Sequence, residues 1–461
     1  MSTTQEYLKN LYINKSNNII GISLGYKYIN NQQTNIISVV YFVENKLPIE
    51  QVPTNEIIPD SLNINGTNYS TDVIETSIPE SLSCYNAGDA EITRLQQETL
   101  PLKGGQGIVQ FPTNFSSDGL SYIFSTLGLM CVDNIDNKFI GLTCAHSVLD
   151  SFEIAGNTNL SSQQTRPYSP YDQNLPLGEN RGTLYKPSII LWDGVGNYGD
   201  KLISNNIKRY SNLLNGNVDP YTDLGIVNVW NTIDTALISF QETVPVGGNQ
   251  ILSIDSHKIY VPSNQTEYAN VMDFATTEEL NGLLTTHQPT YIYSTGRTTG
   301  PKGYNSNCRM QITNINQVMQ TRITTGIGGA KFYPFSNIIG MRYVNTSYGA
   351  PGANGDSGSM VIAEYGDGTR KILGMVFAGS GQIIYFCRID EIVNQLKIKK
   401  WDWISGPLDT SRLTPNPTFL KVNIGSVIGA ILQNHQTTNI NNKTYYQVGF
   451  TKSNVYPVYS G

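Results

Sequence analysis

Residues 353–361, ANGDSGSMV, set Ser357 among glycines, beside Asp356 and just ahead of an apolar run. A serine so placed has two readings. Gly, Asn, Asp and Ser are turn residues, because they tolerate unusual dihedrals and bond their own backbone, so the stretch can be a polar turn before a buried strand. Alternatively Ser357 is a nucleophile, which needs a base within reach, an acid to orient that base, and donors for an oxyanion. Four histidines could supply the base: His146, His257, His287 and His435. Only His146 has a distinctive frame. It ends the apolar stretch FIGLTCAH and precedes SVL, so a strand would fix the ring and aim it. Taken alone, that stretch also fits a satisfied core histidine. Two acids lie between base and serine, Asp223 opening DLGIVNV and Asp234 opening DTALISF. Each has a small residue two positions on (Gly225 or Ala236) and an apolar strand behind it. Either can accept the Nδ1 hydrogen of a histidine above it, and either can simply cap a turn.

Groups so distant in sequence must be gathered by a fold, and composition says of what kind. The chain has 461 residues, 39% of them hydrophobic and 14% charged, with 42 glycines. The length allows two or three domains with an ample core. Many glycines and few charges suit strands and turns better than long helices. The net charge of −6, with no Lys/Arg cluster, argues against a nucleic-acid groove built on phosphate neutralisation. No apolar run reaches the roughly 18 to 20 residues that span a bilayer. MSTTQEYLKN also lacks the basic start and apolar stretch of a secretory signal. The expectation is a cytoplasmic protein with no membrane partner, or a virion protein if the Asn-, Ile- and Tyr-rich usage is viral. Five cysteines (Cys84, Cys131, Cys144, Cys308 and Cys387) show neither C-x-x-C nor zinc spacing. No disulfide framework, metal or cofactor is therefore expected.

Along the chain, NIIGISLGYKYIN and TNIISVVYFVENK read as a β-hairpin turning at Asn31, Gln32 and Gln33. With STDVIETSI they make a small N-terminal α/β module, placed at residues 1–83, followed by a polar linker at 84–105. Residues 106–400 read as many short strands between Gly, Asn and Pro signals, the pattern of an antiparallel barrel or sandwich. RIDEIVNQLKI spaces Ile389, Ile392, Val393 and Leu396 as one helical face. A polar insertion at 150–222 and a β-rich tail at 401–461 complete the division.

LTCAHSV together with GDSGS resembles the paired signatures of trypsin-like serine proteases, in the order His then Ser with an acid between. NTIDTALISF is similar to the Asn-Thr-Val-Asp-Ala-Ala-Leu-Ala segment of a subfamily found in bacteria and in plant narrow-leaf type proteins, which singles out Asp234 over Asp223. PLKGGQGIV and STLGLMC fill that subfamily's glycine-rich entry and Gly-Thr-Leu-Gly strand, with Ser125 in place of glycine. GRTTG at 296–300 matches a further motif, and VENKLP and TDVIE resemble its N-terminal extension. The resemblance covers roughly 18–398. It departs at Ser147, where secreted relatives carry a cysteine bridged to one like Cys131, and at GIVQ (107–110), which lacks a trypsin-like activated start.

The resemblance implies a chymotrypsin-like double β-barrel, and a serine endopeptidase acting on a protein or peptide substrate through His146, Asp234 and Ser357. The N–H groups of Gly355 and Ser357 would form its oxyanion hole. The segments 348–354 and 377–381, expected to flank the residue before the cut, contain no Asp or Glu, so a neutral or apolar preference is expected. The rival expectation is a catalytically silent trypsin-like fold used as a structural or binding protein, in a virion or scaffold for example.

Overall fold

The computed structural model describes residues 3–13, 18–30, 32–82, 102–110, 123–133, 139–148, 168–169, 182–187, 230–240, 243–246, 249–252, 254–260, 268–270, 273–303, 309–325, 329–399, and strands within 437–459. Asp223, Cys84 and Cys308, the whole polar insertion apart from two short strands, and residues 84–101 of the linker lie outside them.

The chain opens with helix α1 (Thr3–Ile13), which buries Leu8 and Tyr12 on one face. Strands β1 (Ile19–Ile29) and β2 (Gln32–Val43) follow as an antiparallel hairpin. Gln32 and Gln33 belong to β2, paired with Ile29 and Tyr28, so the turn is tighter than the sequence suggests. Asn30 makes that possible at φ 51°, a left-handed conformation that asparagine tolerates. Pro48 and Pro53 each precede a short 3₁₀ turn, and β3 (Ser61–Ile64) and β4 (Thr67–Glu75) close the module's pairing. A two-residue strand, β5 (Glu80–Ser81), comes next.

The middle of the chain supplies β6 (Gly107–Gln110), β7 (Ile123–Thr126), β8 (Met130–Asp133), β9 (Phe139–Thr143), β10 (Gly182–Pro187) and β11 (Ala236–Phe240). After helix α2 (Thr277–Asn281), started by a Thr276/Glu279 capping box, come β12 (Tyr291–Gly296) and β13 (Gly300–Lys302). The long pair β14 (Met310–Thr325) and β15 (Gly329–Tyr343) is followed by β16 (Met360–Glu364), β17 (Arg370–Ser380) and β18 (Ile383–Arg388). Helix α3 (Ile389–Leu396) sits where the apolar spacing places a helix, with Ile389, Ile392 and Leu396 buried. The short β19 (Ile398–Lys399) ends this part.

The protein is mainly β. One large sheet runs β13-β12-β16-β17-β18-β15-β14-β1-β2-β4-β3, and a five-stranded sheet runs β10-β11-β9-β8-β19. One apolar cluster spans both, containing Ile140, Leu142 and Ile238 from the smaller sheet and Val361, Val376 and Phe377 from the larger. The large sheet draws strands from both sides of residue 83, because β1 pairs antiparallel with β14. Gly25 permits that approach: a Cβ there would stand 2.8 Å from the Thr313 carbonyl oxygen. In the tail, the described strands Thr437–Ile440, Lys443–Phe450 and Asn454–Tyr459 form a separate three-stranded sheet. Among the described residues, no helix is long and apolar enough to cross a membrane.

Candidate functional site

The antiparallel register of β9 and β11 pairs Thr143, the last residue of one, with Ala236, the first of the other. What leaves β9 therefore meets what enters β11. His146 lies in a 3₁₀ turn just past β9, and Asp234 stands two residues before β11. Both are fully buried. Asp234 grips the histidine twice: Oδ1 accepts the His146 backbone N–H at 3.1 Å, and Oδ2 pairs with ring Nδ1. A carboxylate on Nδ1 keeps the ring proton there and leaves Nε2 as an acceptor. Nε2 stands 3.1 Å from Ser357 Oγ. The hydroxyl has a second acceptor in reach, the Phe377 carbonyl at 3.3 Å.

Ser357 comes from the other sheet, in the turn before β16. Gly355 and Gly358 hold φ values of 100° and 95°, where a Cβ would be strained. At Gly358 a Cβ would also fall 2.0 Å from the Thr126 carbonyl oxygen. Strand β7 clamps the turn from that side. The Thr126 N–H and Ser125 hydroxyl donate to the Ser357 carbonyl at 2.8 and 2.6 Å, and Thr126 Oγ1 donates to the Gly355 carbonyl at 2.9 Å. Ser125, which departs from the resembled pattern, thus has a bond that glycine could not make.

Asp356 is fully buried beside Ser357 and gathers a cage of donors. Oδ1 accepts the N–H groups of Thr298 (2.9 Å) and Thr299 (3.1 Å). Oδ2 accepts the Thr299 hydroxyl (2.6 Å), the Ala353 N–H (3.0 Å) and the Lys302 ammonium (3.0 Å). Burial alone pushes this carboxyl up, but the Lys302 charge and the hydrogen bonds outweigh it and hold the pKa below the usual carboxylate range. Lys302 is 3% exposed, so this is a buried ion pair tying the strand after the GRTTG segment to the turn that carries Ser357. GRTTG stands out as a motif in the sequence, whereas Lys302 does not. Its signal was a lysine just beyond the motif, in a short strand.

The expected oxyanion donor Gly355 gives its N–H to the carbonyl oxygen of Leu82. Cys144 lies within 4.8 Å of the His146 and Asp234 ligand atoms, a grouping that could hold a metal. Burial, then the Asp234 charge, pushes its thiol well up. Its S–H donates to the Val376 carbonyl at 3.2 Å. Cys387 accepts the Asp234 N–H at 3.3 Å, and Cys131, Cys144 and Cys387 are all free thiols. With its histidine and acid from one sheet and its serine from another, this chain matches no family model and has no significant match among curated proteins.

Proposed function

We propose that the chain is a serine endopeptidase of the trypsin-like class, with His146 as base, Asp234 as orienting acid and Ser357 as nucleophile. The observation that carries this reading is the continuous chain of contacts Asp234–His146–Ser357 across two sheets. On this reading the five-stranded sheet and the strands around Ser357 belong to the two barrels of a chymotrypsin-like fold, with the site at their junction. His146 Nε2 takes the Ser357 hydroxyl proton as Oγ attacks a peptide carbonyl, then gives it to the leaving amine. Water cleaves the acyl-enzyme by the same route in reverse. Gly355 and Ser357 N–H groups stabilise the oxyanion, where one donor contributes about 3 to 4 kcal/mol in comparable sites. Lys302, through Asp356, keeps those donors in place without touching substrate.

A fluorophosphonate probe tests the reading. The expected result is labelling at Ser357 in the purified full-length chain, lost in Ser357→Ala and in His146→Ala. Equal labelling of Ser357→Ala would return residues 353–361 to the status of a turn. Absence of labelling in every form, including one whose cleft is vacated as described next, would favour the silent structural or binding protein.

A further inference from the structure

Five features converge on Leu82. Its carbonyl oxygen accepts the Gly355 N–H, in the position where a developing oxyanion would be held. Its own N–H donates at 3.2 Å to the Phe377 carbonyl, the atom that also stands 3.3 Å from Ser357 Oγ. The residues before it lie antiparallel along β17, Ser81 opposite Ala378 and Glu80 opposite Gly379. Its side chain, 8% exposed, sits between two glycines: a Cβ on Gly352 or on Gly379 would each come within 3.2 Å of a Leu82 methyl. Ile384 closes the same slot, 2.9 Å from the Cβ that Gly352 lacks. The segment is thus added as a strand, with main-chain bonds giving affinity and one apolar side chain in a fitted pocket. That is how the acyl side of a peptide would lie for attack by Ser357. An open cleft of about 990 Å³ continues from there, lined by Ala350, Asn354 and Gly381 as well as by Glu75 and Arg322.

We infer that residues 79–82 are the enzyme's own first substrate, and that the chain is cut in cis after Leu82. This rests on the serine-protease reading above, and it names the substrate preference of the same site: a leucine-sized apolar residue before the cut. Ser357 Oγ bonds to the Leu82 carbonyl carbon and its proton passes to His146 Nε2. The carbon–nitrogen bond to residue 83 breaks, and the proton from His146 goes to that nitrogen, which becomes a new amino terminus. Water then attacks the Leu82 ester, releasing a Leu82 carboxylate and restoring the serine hydroxyl. The severed residues 1–82 stay attached through the β1–β14 pairing and the packing of α1. The Leu82 carboxylate remains beside the donors that held its carbonyl, so the cut chain is inhibited by its own product until a substrate displaces it.

Mass spectrometry of the full-length chain under native and denaturing conditions reads this out. The expected result is one native mass that denaturation separates into residues 1–82 and 83–461, with Ser357→Ala left whole. Leu82→Asp, which puts a charge into the apolar slot, should lose the cut and gain faster fluorophosphonate labelling. Leu82→Met should keep the cut. A melting curve confirms that each variant folds. An uncut wild-type chain that nevertheless labels at Ser357 would overturn the inference and leave the protease reading standing. A cut elsewhere, or one that persists in Ser357→Ala, would also overturn it. A chain neither cut nor labelled, with Leu82→Asp equally silent, would sink both.

Discussion

The two halves of the site are held by different means. His146 and Asp234 leave and enter neighbouring strands at the same edge, so the β9–β11 register brings them together with only two bonds between them. Ser357 sits in an irregular turn whose shape no ladder dictates. That turn needs two left-handed glycines, a clamp from β7 and a buried ion pair. Where regular pairing does the positioning, few side chains are committed. Where it does not, a network of partners drawn from distant segments replaces it.

Breaking the simple half should produce the larger functional effect. Asp234→Asn keeps the shape but favours the wrong ring tautomer, and turnover should fall by about 10⁴ while the melting temperature changes little. Steady-state kinetics beside a melting curve would check this. A comparable loss of stability would mean that Asp234 holds the fold and not merely the ring.

Breaking the elaborate half should act on stability first. Lys302→Met leaves Asp356 buried without its cation, a loss of about 3 to 5 kcal/mol by denaturant unfolding. The pH dependence sharpens the assignment. Because the folded pKa of Asp356 is depressed, its contribution is complete above the unfolded carboxylate value and is lost as pH falls through the folded one. The stability difference between wild type and Asp356→Asn should therefore be largest near neutrality and shrink as pH falls from about 5 toward 2. A difference that stays flat with pH would mean that the pair is not charged. The smallest effect belongs to Ser125→Ala, which removes one of two donors to the Ser357 carbonyl and should cost about 1 kcal/mol, read by the same unfolding.

His146 and Ser357 were legible because each sits in a short frame of turn and strand residues that points to one geometry. Asp234 was not separable from Asp223 by its own context, and it took the resemblance to prefer it; Asp223 lies outside the described residues. Lys302 escaped because a buried ion pair between residues 54 apart leaves no periodic trace. The many short strands announced a mainly β chain and α3 announced itself by spacing. Helix α1 went unread although Leu8, Leu11 and Tyr12 already stand at helical intervals. Strand order was illegible for a physical reason: β1 looks complete with its hairpin partner β2, and only Gly21 and Gly25 hint that a second strand must approach its other edge.

That pairing has a consequence for how the protein comes into being. During synthesis β1 leaves the ribosome well before β14, which begins only at Met310. Until then Ile22 and Leu24 lie on a strand with one bare edge, open to any other extended chain. Contacts of such separation form slowly and only once both partners exist. The nascent polypeptide therefore cannot complete its central sheet until β14 has been made, and a holdase that shelters the β1–β2 hairpin should raise the yield of folded protein more than it changes the stability of the finished one.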